Sequence, residues 1–307
     1  MRDALEALRA GLAPHYTVER EIGSGGMAHV YLAQERHPPR KVAIKVMKPG
    51  IASPGFRQRF IREIELTSQL LHPHIVPILA AEECLFVPDG PEGLCYYVMP
   101  YIEGESLRGR LLREKRIPLE AALHITREVA DALTYAHARG IIHRDIKPEN
   151  ILLADGFALL TDFGIARAIS AAPADASLTS PGELVGSLAY MAPEQLAGER
   201  QLDARTDVYG LASVLHELLA GAPPLRQVAG SPKQGRTTLV NALRGQGIGR
   251  VEVRLLKTAL SEALANEPDE RLSSVEEFIA RLEEAQRPGW GRRLSVLFDA
   301  MLARPAR

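Results

Sequence analysis

The hydrophobic pattern of this 307-residue chain turns lastingly from mostly β-type to helical near Gly104. That change limits the fold to a β-rich part followed by a larger helical part. Before it, the runs YTVEREIG from Tyr16, MAHVYLAQ from Met27 and KVAIKVM from Lys41 are rich in Val, Ile and Tyr and are separated by Gly or Pro, which predicts short strands. One helix interrupts them: Phe56, Phe60, Ile64, Leu70 and Leu71 recur at helical spacing until His72-Pro73 stops it. VPILAAEECLF and LCYYVM then flank the turn PDGPEG and predict an antiparallel hairpin. After Gly104 the spacing is helical, with Leu123, Val129-Ala130 and Leu133 on one face of Leu119–Arg139, and similar patterns at 212–219 and 255–264.

Composition excludes several classes. Apolar residues make up 46% and charged residues 24%, a globular balance, and the net charge of −1 gives no field for nucleic acid or a membrane surface. Two cysteines, Cys84 and Cys95, make no disulfide framework and predict a reduced, cytoplasmic setting; one bridge across the hairpin is the minor alternative. No apolar run reaches membrane-span length, and the acid-bearing MRDALEALRA is no signal peptide.

The chemistry is concentrated in a few short stretches. Gly23-Ser24-Gly25-Gly26-Met27-Ala28 lies between two predicted strands, where bare backbone N–H groups could meet a phosphate; alone it reads equally well as an ordinary Gly-rich hairpin. Only seven of the 37 cationic side chains are Lys, and one of them, Lys45, interrupts the apolar strand Val42-Ala43-Ile44. An ammonium there calls for a partner, and Glu63 on the following helix is the candidate, although helix Glu residues are mostly solvated. The stretch Ile141 to Asn150, IIHRDIKPEN, sets Asp145, Lys147 and Asn150 directly after an apolar pair. Phosphoryl transfer needs a carboxylate to accept a hydroxyl proton, a cation for the moving group and oxygen ligands for a hard metal ion. Thr161-Asp162-Phe163-Gly164 supplies a further carboxylate, and Ala192-Pro193-Glu194 follows about thirty residues later.

Taken together and in this order, these motifs resemble the protein kinase family from about Tyr16 to Leu282. The Lys two positions after Asp145 is similar to serine/threonine kinases, and GGMAHVYLA, with Ala28 in place of the third glycine, to bacterial eukaryotic-like (Hanks-type) members. The resemblance implies an α+β, bilobal fold: a small antiparallel β-sheet N-lobe with one major helix, and a larger, mainly helical C-lobe. It divides 16–285 into N-lobe and hinge (16–102) and C-lobe (103–285, activation segment 162–194); outside it, Met1, Leu5, Leu8 and Leu12 on one stripe predict an N-terminal helical extension (1–15), and an amphipathic tail follows (286–307). The resemblance implies ATP and Mg²⁺ as cofactors, with Mn²⁺ as an alternative ion. Lys45 would hold phosphates and pair with Glu63; Asp145 would be the base, Lys147 would stabilise the transferring group, and Asn150 and Asp162 would ligate metal. The nucleotide site would comprise Ile22, Gly23, Ser24, Gly25, Gly26, Met27, Ala28, His29, Val30, Ala43, Lys45, the gatekeeper Met99, and Pro100 and Ile102 of the hinge, with Asn150 and Asp162. Asp207 would brace the catalytic loop and Arg271 would pair with Glu194.

Two rival functions compete with this one. A pseudokinase or scaffold would lack Lys45, Asp145, Asn150 or Asp162, and all four are present; a small-molecule phosphotransferase would lack the segment resembling a peptide-docking loop, Gly186 to Glu194. The implied partners are proteins with Ser/Thr acceptors and the chain itself, with a transient homodimer left open and no nucleic acid. Residues 170–182, SAAPADASLTSPG, form a long aperiodic loop. Arg144 beside Asp145 is a fork suited to an anion, so phosphorylation within 171–184 is expected, foremost at Thr179, then Ser177 and Ser180. In the tail, Leu294, Leu297, Phe298, Met301 and Leu302 form one helical face, expected to pack on the C-lobe. A partner groove or an anionic membrane are the alternatives, and membrane association would otherwise require a chain that continues past Arg307.

Overall fold

The computed structural model describes residues 6, 9–25, 28–48, 54–85, 94–163, 188–199, 201–224 and 234–286, with the backbone alone at 54–57, 81–85, 94 and 234–238. The expectations for Gly26 and Met27, the turn 88–93, the hydroxyls Ser177, Thr179 and Ser180, and the tail from 287 onward lie outside these residues.

The N-lobe is a five-stranded antiparallel sheet of β1 (Tyr16–Ser24), β2 (Ala28–Arg36), β3 (Pro39–Met47), β4 (Ala80–Leu85) and β5 (Leu94–Pro100), in the order β1-β2-β3-β5-β4. Strand β3 has no polar alternation because both faces are covered. Val42, Ile44 and Val46 pack on the outer side with Tyr96, Val98 and Leu12 of the N-terminal extension. Ala43 and Met47 point the other way, with Cys95, Tyr97, Met99 and the α1 residues Phe60 and Ile64. Strand β1 shows the simpler pattern, with Tyr16 and Val18 buried and their neighbours exposed.

Helix α1 (Pro54–Thr67) ends before the expected stop at His72-Pro73. The Thr67 hydroxyl folds back to the Glu63 carbonyl at 2.8 Å, and beyond it Leu70 is fully buried while Leu71 is 73% exposed. Leu70 belongs with Ile75 to the C-lobe core, so the buried residue that prolongs the helical period serves the other lobe. For the same reason β4 starts at Ala80 and not at Val76: the Val76 N–H donates to the Leu160 carbonyl at 2.9 Å. Cys95 is a buried free thiol, and the Cys84 side chain that the minor alternative would pair with it lies outside the described residues.

The C-lobe holds the small sheet β6 (Glu105–Ser106), β7 (Ile151–Ala154) and β8 (Phe157–Leu160), and the helices α2 (Leu107–Glu114), α3 (Leu119–His137), α4 (Pro193–Leu196), α5 (Arg205–Ala220), α6 (Gln234–Gly245), α7 (Arg250–Ala263) and α8 (Val275–Gln286). Leu123, Val129, Ala130 and Leu133 of α3 are buried, as their spacing predicts. Helix α5 is buried all round, every residue from Thr206 to Ala220, and is the axis on which the lobe packs. Among the described residues no helix is long and apolar enough to cross a membrane.

Candidate active site

The segment 141–150 is irregular because its backbone groups are bonded by side chains instead of a ladder. Asp207, 1% exposed on the first turn of α5, accepts the N–H groups of His143 at 2.8 Å and Arg144 at 2.7 Å, and His137 Nε2 lies 2.8 Å from the same carboxylate. Burial acts to raise the Asp207 carboxyl, but the bonds from His137 and the backbone outweigh it and hold it below the usual range. The loop can lie this close because α5 offers Gly210: a Cβ there would stand 2.9 Å from the Ile146 Cβ. His143 is fully buried, donates from Nε2 to the Thr161 carbonyl at 2.9 Å and accepts the Asp145 N–H on Nδ1 at 3.2 Å. Those two bonds define the neutral Nε2–H tautomer. Its ring lies 4.5 Å from that of Phe163, so the loop and the Asp162-Phe163 segment are locked together.

The loop thereby gathers Asp145, Lys147 and Asn150. Lys147 Nζ is 2.8 Å from Asp145 Oδ2, and Asn150 Nδ2 donates to the Asp145 carbonyl at 2.8 Å and to Oδ2 at 2.9 Å. Burial disfavours the Lys147 ammonium, yet the Asp145 carboxylate more than compensates, leaving its pKa raised and the group charged. With its nitrogen committed to Asp145, the Asn150 amide has its oxygen left for a cation. Asp145 is the carboxylate that both neighbours orient.

The N-lobe supplies the roof. Ser24 and His29 are register partners at the mouth of the β1–β2 hairpin, closed by Gly25 N–H to the Ala28 carbonyl at 2.9 Å. His29 Nδ1 also lies 2.8 Å from Glu21 Oε1. Gly23 is on β1 with the Val30 side chain 3.8 Å from where a Cβ would stand. Ile22, Val30, Ala43, Met99 and Ile102 share one apolar cluster with Leu152 of β7 and Leu159 of β8, so the cleft has a roof from one lobe and a floor from the other. Pro100 ends β5 opposite Val42.

Lys45 has a different partner from the one its sequence context suggests. Its Nζ lies 2.7 Å from Asp162 Oδ2, while Glu63 is buried on α1. Register explains the difference: β3 carries Lys45 opposite Tyr97 on β5, above the Asp162 loop, where two half-buried opposite charges pair directly. The Tyr97 hydroxyl donates to Asp162 Oδ1. Burial opposes ionisation of Asp162, but Lys45 and then Tyr97 hold its carboxyl below the usual range; burial and that same carboxylate push the Tyr97 phenol up. Deep in the C-lobe, Arg271 makes the expected fork to Glu194, 2.7 and 2.9 Å, and adds bonds to the carbonyls of Arg205 and Ala265.

Three groups escape sequence reasoning. Leu152 reads as an ordinary strand residue, Tyr97 as ordinary core, and Arg108 of α2 as solvated. Arg108 in fact binds Glu149 and Glu217 at 2.7 Å and the Tyr190 hydroxyl at 2.6 Å, tying α2 to the 141–150 loop, α5 and the 188–199 segment. No local signal sets Arg108 apart from the other arginines of the sequence.

A five-stranded roof over a helical lobe, with this loop in the cleft between them, defines a protein kinase domain. The family described as protein kinase domain matches residues 16–290, and the chain belongs to that family, whose members use ATP with a divalent cation and act on proteins, themselves included. The chain is 37% identical over 306 residues to the serine/threonine-protein kinase PknB of Mycolicibacterium smegmatis, covering 96% of this chain and 47% of that protein. It is 42% identical over 228 residues to PknD of Mycobacterium tuberculosis, covering 74% of this chain and 32% of that one. It therefore spans less than half of the length of either relative. Among solved structures, the Mycobacterium tuberculosis PknI kinase domain matches with a TM-score of 0.67 and 34% identity, over 88% of this chain and 96% of that one.

Proposed function

We propose that this chain is an active, ATP-dependent serine/threonine protein kinase domain that phosphorylates protein hydroxyls and itself. The observation that carries the reading is the Asp145 carboxylate held by Lys147 and Asn150 at 2.8 and 2.9 Å, beside Asp162 on the floor of a cleft whose roof carries Lys45. Among the described residues no group of three or more His, Cys, Asp or Glu is gathered as a metal cage. The Asn150 and Asp162 oxygens instead suit a hard ion, Mg²⁺ or alternatively Mn²⁺, that takes its remaining ligands from phosphates and water. When bound, that ion supplies positive charge against the phosphate oxygens.

The residues then divide the work. Asp145 accepts the proton of the acceptor hydroxyl, whose oxygen bonds to the γ-phosphorus as the bond to the bridging oxygen breaks. Lys147, kept charged by Asp145, neutralises the transferring group. Lys45 exchanges Asp162 for the phosphates. Ile22, Val30, Ala43, Met99 and Ile102 sandwich the adenine against Leu152. The relatives' names, both serine/threonine kinases, support the acceptor class.

Labelled ATP and Mg²⁺ with a generic basic substrate, followed by mass-spectrometric mapping, test the reading; no transfer to substrate or to the chain refutes it. The same maps test loop activation at Thr179, Ser177 and Ser180. This proposal is supported by the Arg144 guanidinium next to Asp145 and by the run of hydroxyls in the loop; the Arg144 backbone is itself anchored, its carbonyl accepting Gln195 Nε2 at 2.8 Å. Full activity of a Ser177/Thr179/Ser180 triple-alanine variant refutes it.

A further inference from the structure

Asp162 is held by two donors from neighbouring strands of the upper sheet. Lys45 and Tyr97 are direct partners in the β3–β5 register, so their side chains leave the same face. Lys45 Nζ is 2.7 Å from Oδ2, and the Tyr97 hydroxyl donates to Oδ1. Tyr97 is 1% exposed, its ring centroid is 6.4 Å from that of Phe60, and it packs in the cluster of Met99 and Ile64. A phenylalanine would fill that apolar space equally well, so packing alone does not account for the oxygen. The two donors also differ in what they can do next. Lys45 is a flexible stem that can redirect its ammonium to phosphates, whereas Tyr97 is a rigid ring wedged between α1 and the sheet.

We propose that Tyr97 is a positioning residue for the metal-ligating carboxylate: it fixes Oδ1 so that Oδ2, once Lys45 turns to the nucleotide, is presented to the divalent cation. The inference rests on the proposed role of Asp162 as a metal ligand and deepens it. Partners that orient a ligating carboxylate typically change metal affinity by about 10–100-fold when removed.

The test is calorimetric titration of the whole chain with ADP at stepped Mg²⁺ concentrations, for the parent, Tyr97→Phe, Tyr97→Met and Asp162→Asn. In both Tyr97 variants ADP binding without Mg²⁺ should stay at the parental value, while the Mg²⁺ concentration giving half of its effect rises at least about tenfold. An unchanged Mg²⁺ midpoint in both, with a shifted one in Asp162→Asn, overturns the role of Tyr97 alone. A lowered midpoint also overturns it and makes the hydroxyl a competitor of the metal. Loss of Mg²⁺-free ADP binding in both overturns it as well, because Tyr97 then supports the pocket as a whole. If Asp162→Asn leaves the Mg²⁺ dependence intact, the metal-ligand reading itself fails.

Discussion

Replacing Asp207 by alanine separates loop bracing from chemistry. The carboxylate touches no substrate position, yet it satisfies the buried N–H groups of His143 and Arg144 and anchors His137. Its loss leaves two buried backbone donors without an acceptor, each costing about 1–3 kcal/mol, so the central expectation is about 4 kcal/mol. That is a large share of a domain's usual ~5–15 kcal/mol. Asp207→Asn keeps one acceptor oxygen and should lose about half as much. Urea denaturation reads the change as a lower midpoint at constant slope, and a thermal melt should fall by roughly 8 °C for alanine at this chain size. In the kinetics kcat should drop, because Asp145 shares the loosened loop, while KM for ATP holds, because the upper sheet binds the nucleotide. An alanine variant that loses less than about 1 kcal/mol would show that Asp207 does not carry the loop.

Three further outcomes follow from the geometry. Asp145→Asn should lower turnover at least about 100-fold with nucleotide affinity unchanged, measured by steady-state kinetics beside a binding titration. Arg271→Lys keeps the charge but loses the fork to Glu194 and the carbonyl bonds around it, and should cost about 3 kcal/mol in urea, with parental stability counting against the fork. The pH profile of stability should have two parts. Asp207, Asp162 and Glu194 have depressed carboxyls, so their contribution is complete above about pH 4 and is lost as pH falls further through the folded-state values. His216, whose burial lowers its pKa despite its bond to the Ala222 carbonyl, resists protonation when folded, so a smaller loss begins as pH drops below about 6.5. His216→Gln should flatten that smaller step while leaving the acid limb in place.

The lobes and the loop chemistry were legible because their signals are local. A period of two against one near 3.6 separates the lobes, and Asp145, Lys147 and Asn150 meet within six residues of chain. Asp207 and the Arg271–Glu194 fork could be named only through the family resemblance, since 64 and 77 residues separate their partners. Tyr97 and Lys45 show what local reading misses. Which carboxylate an ammonium meets depends on strand register and on the loop beneath it, and Asp162 lies 65 residues beyond Tyr97. The early end of α1 escaped for a related reason: Leu70 continues the helical period, but the core it enters belongs to the other lobe.

The stitch at residues 74–76 has a mechanical consequence. The Ile75–Leu160 bridge, with Val76 N–H to the Leu160 carbonyl and Leu160 N–H to the His74 carbonyl, rivets this piece of chain to the lower body. A second tether lies at Gly104, where a Cβ would stand 2.1 Å from the Leu153 carbonyl oxygen, so backbone rests on backbone. A plate pinned at two separated points keeps one easy rotation, about the line through the pins. Opening of the cleft is therefore expected as a swing of the sheet about that line, in which Lys45, Val30 and Ala43 would lift away from Asp145 and Leu152 together once the bonds of Lys45 and Tyr97 to Asp162 part.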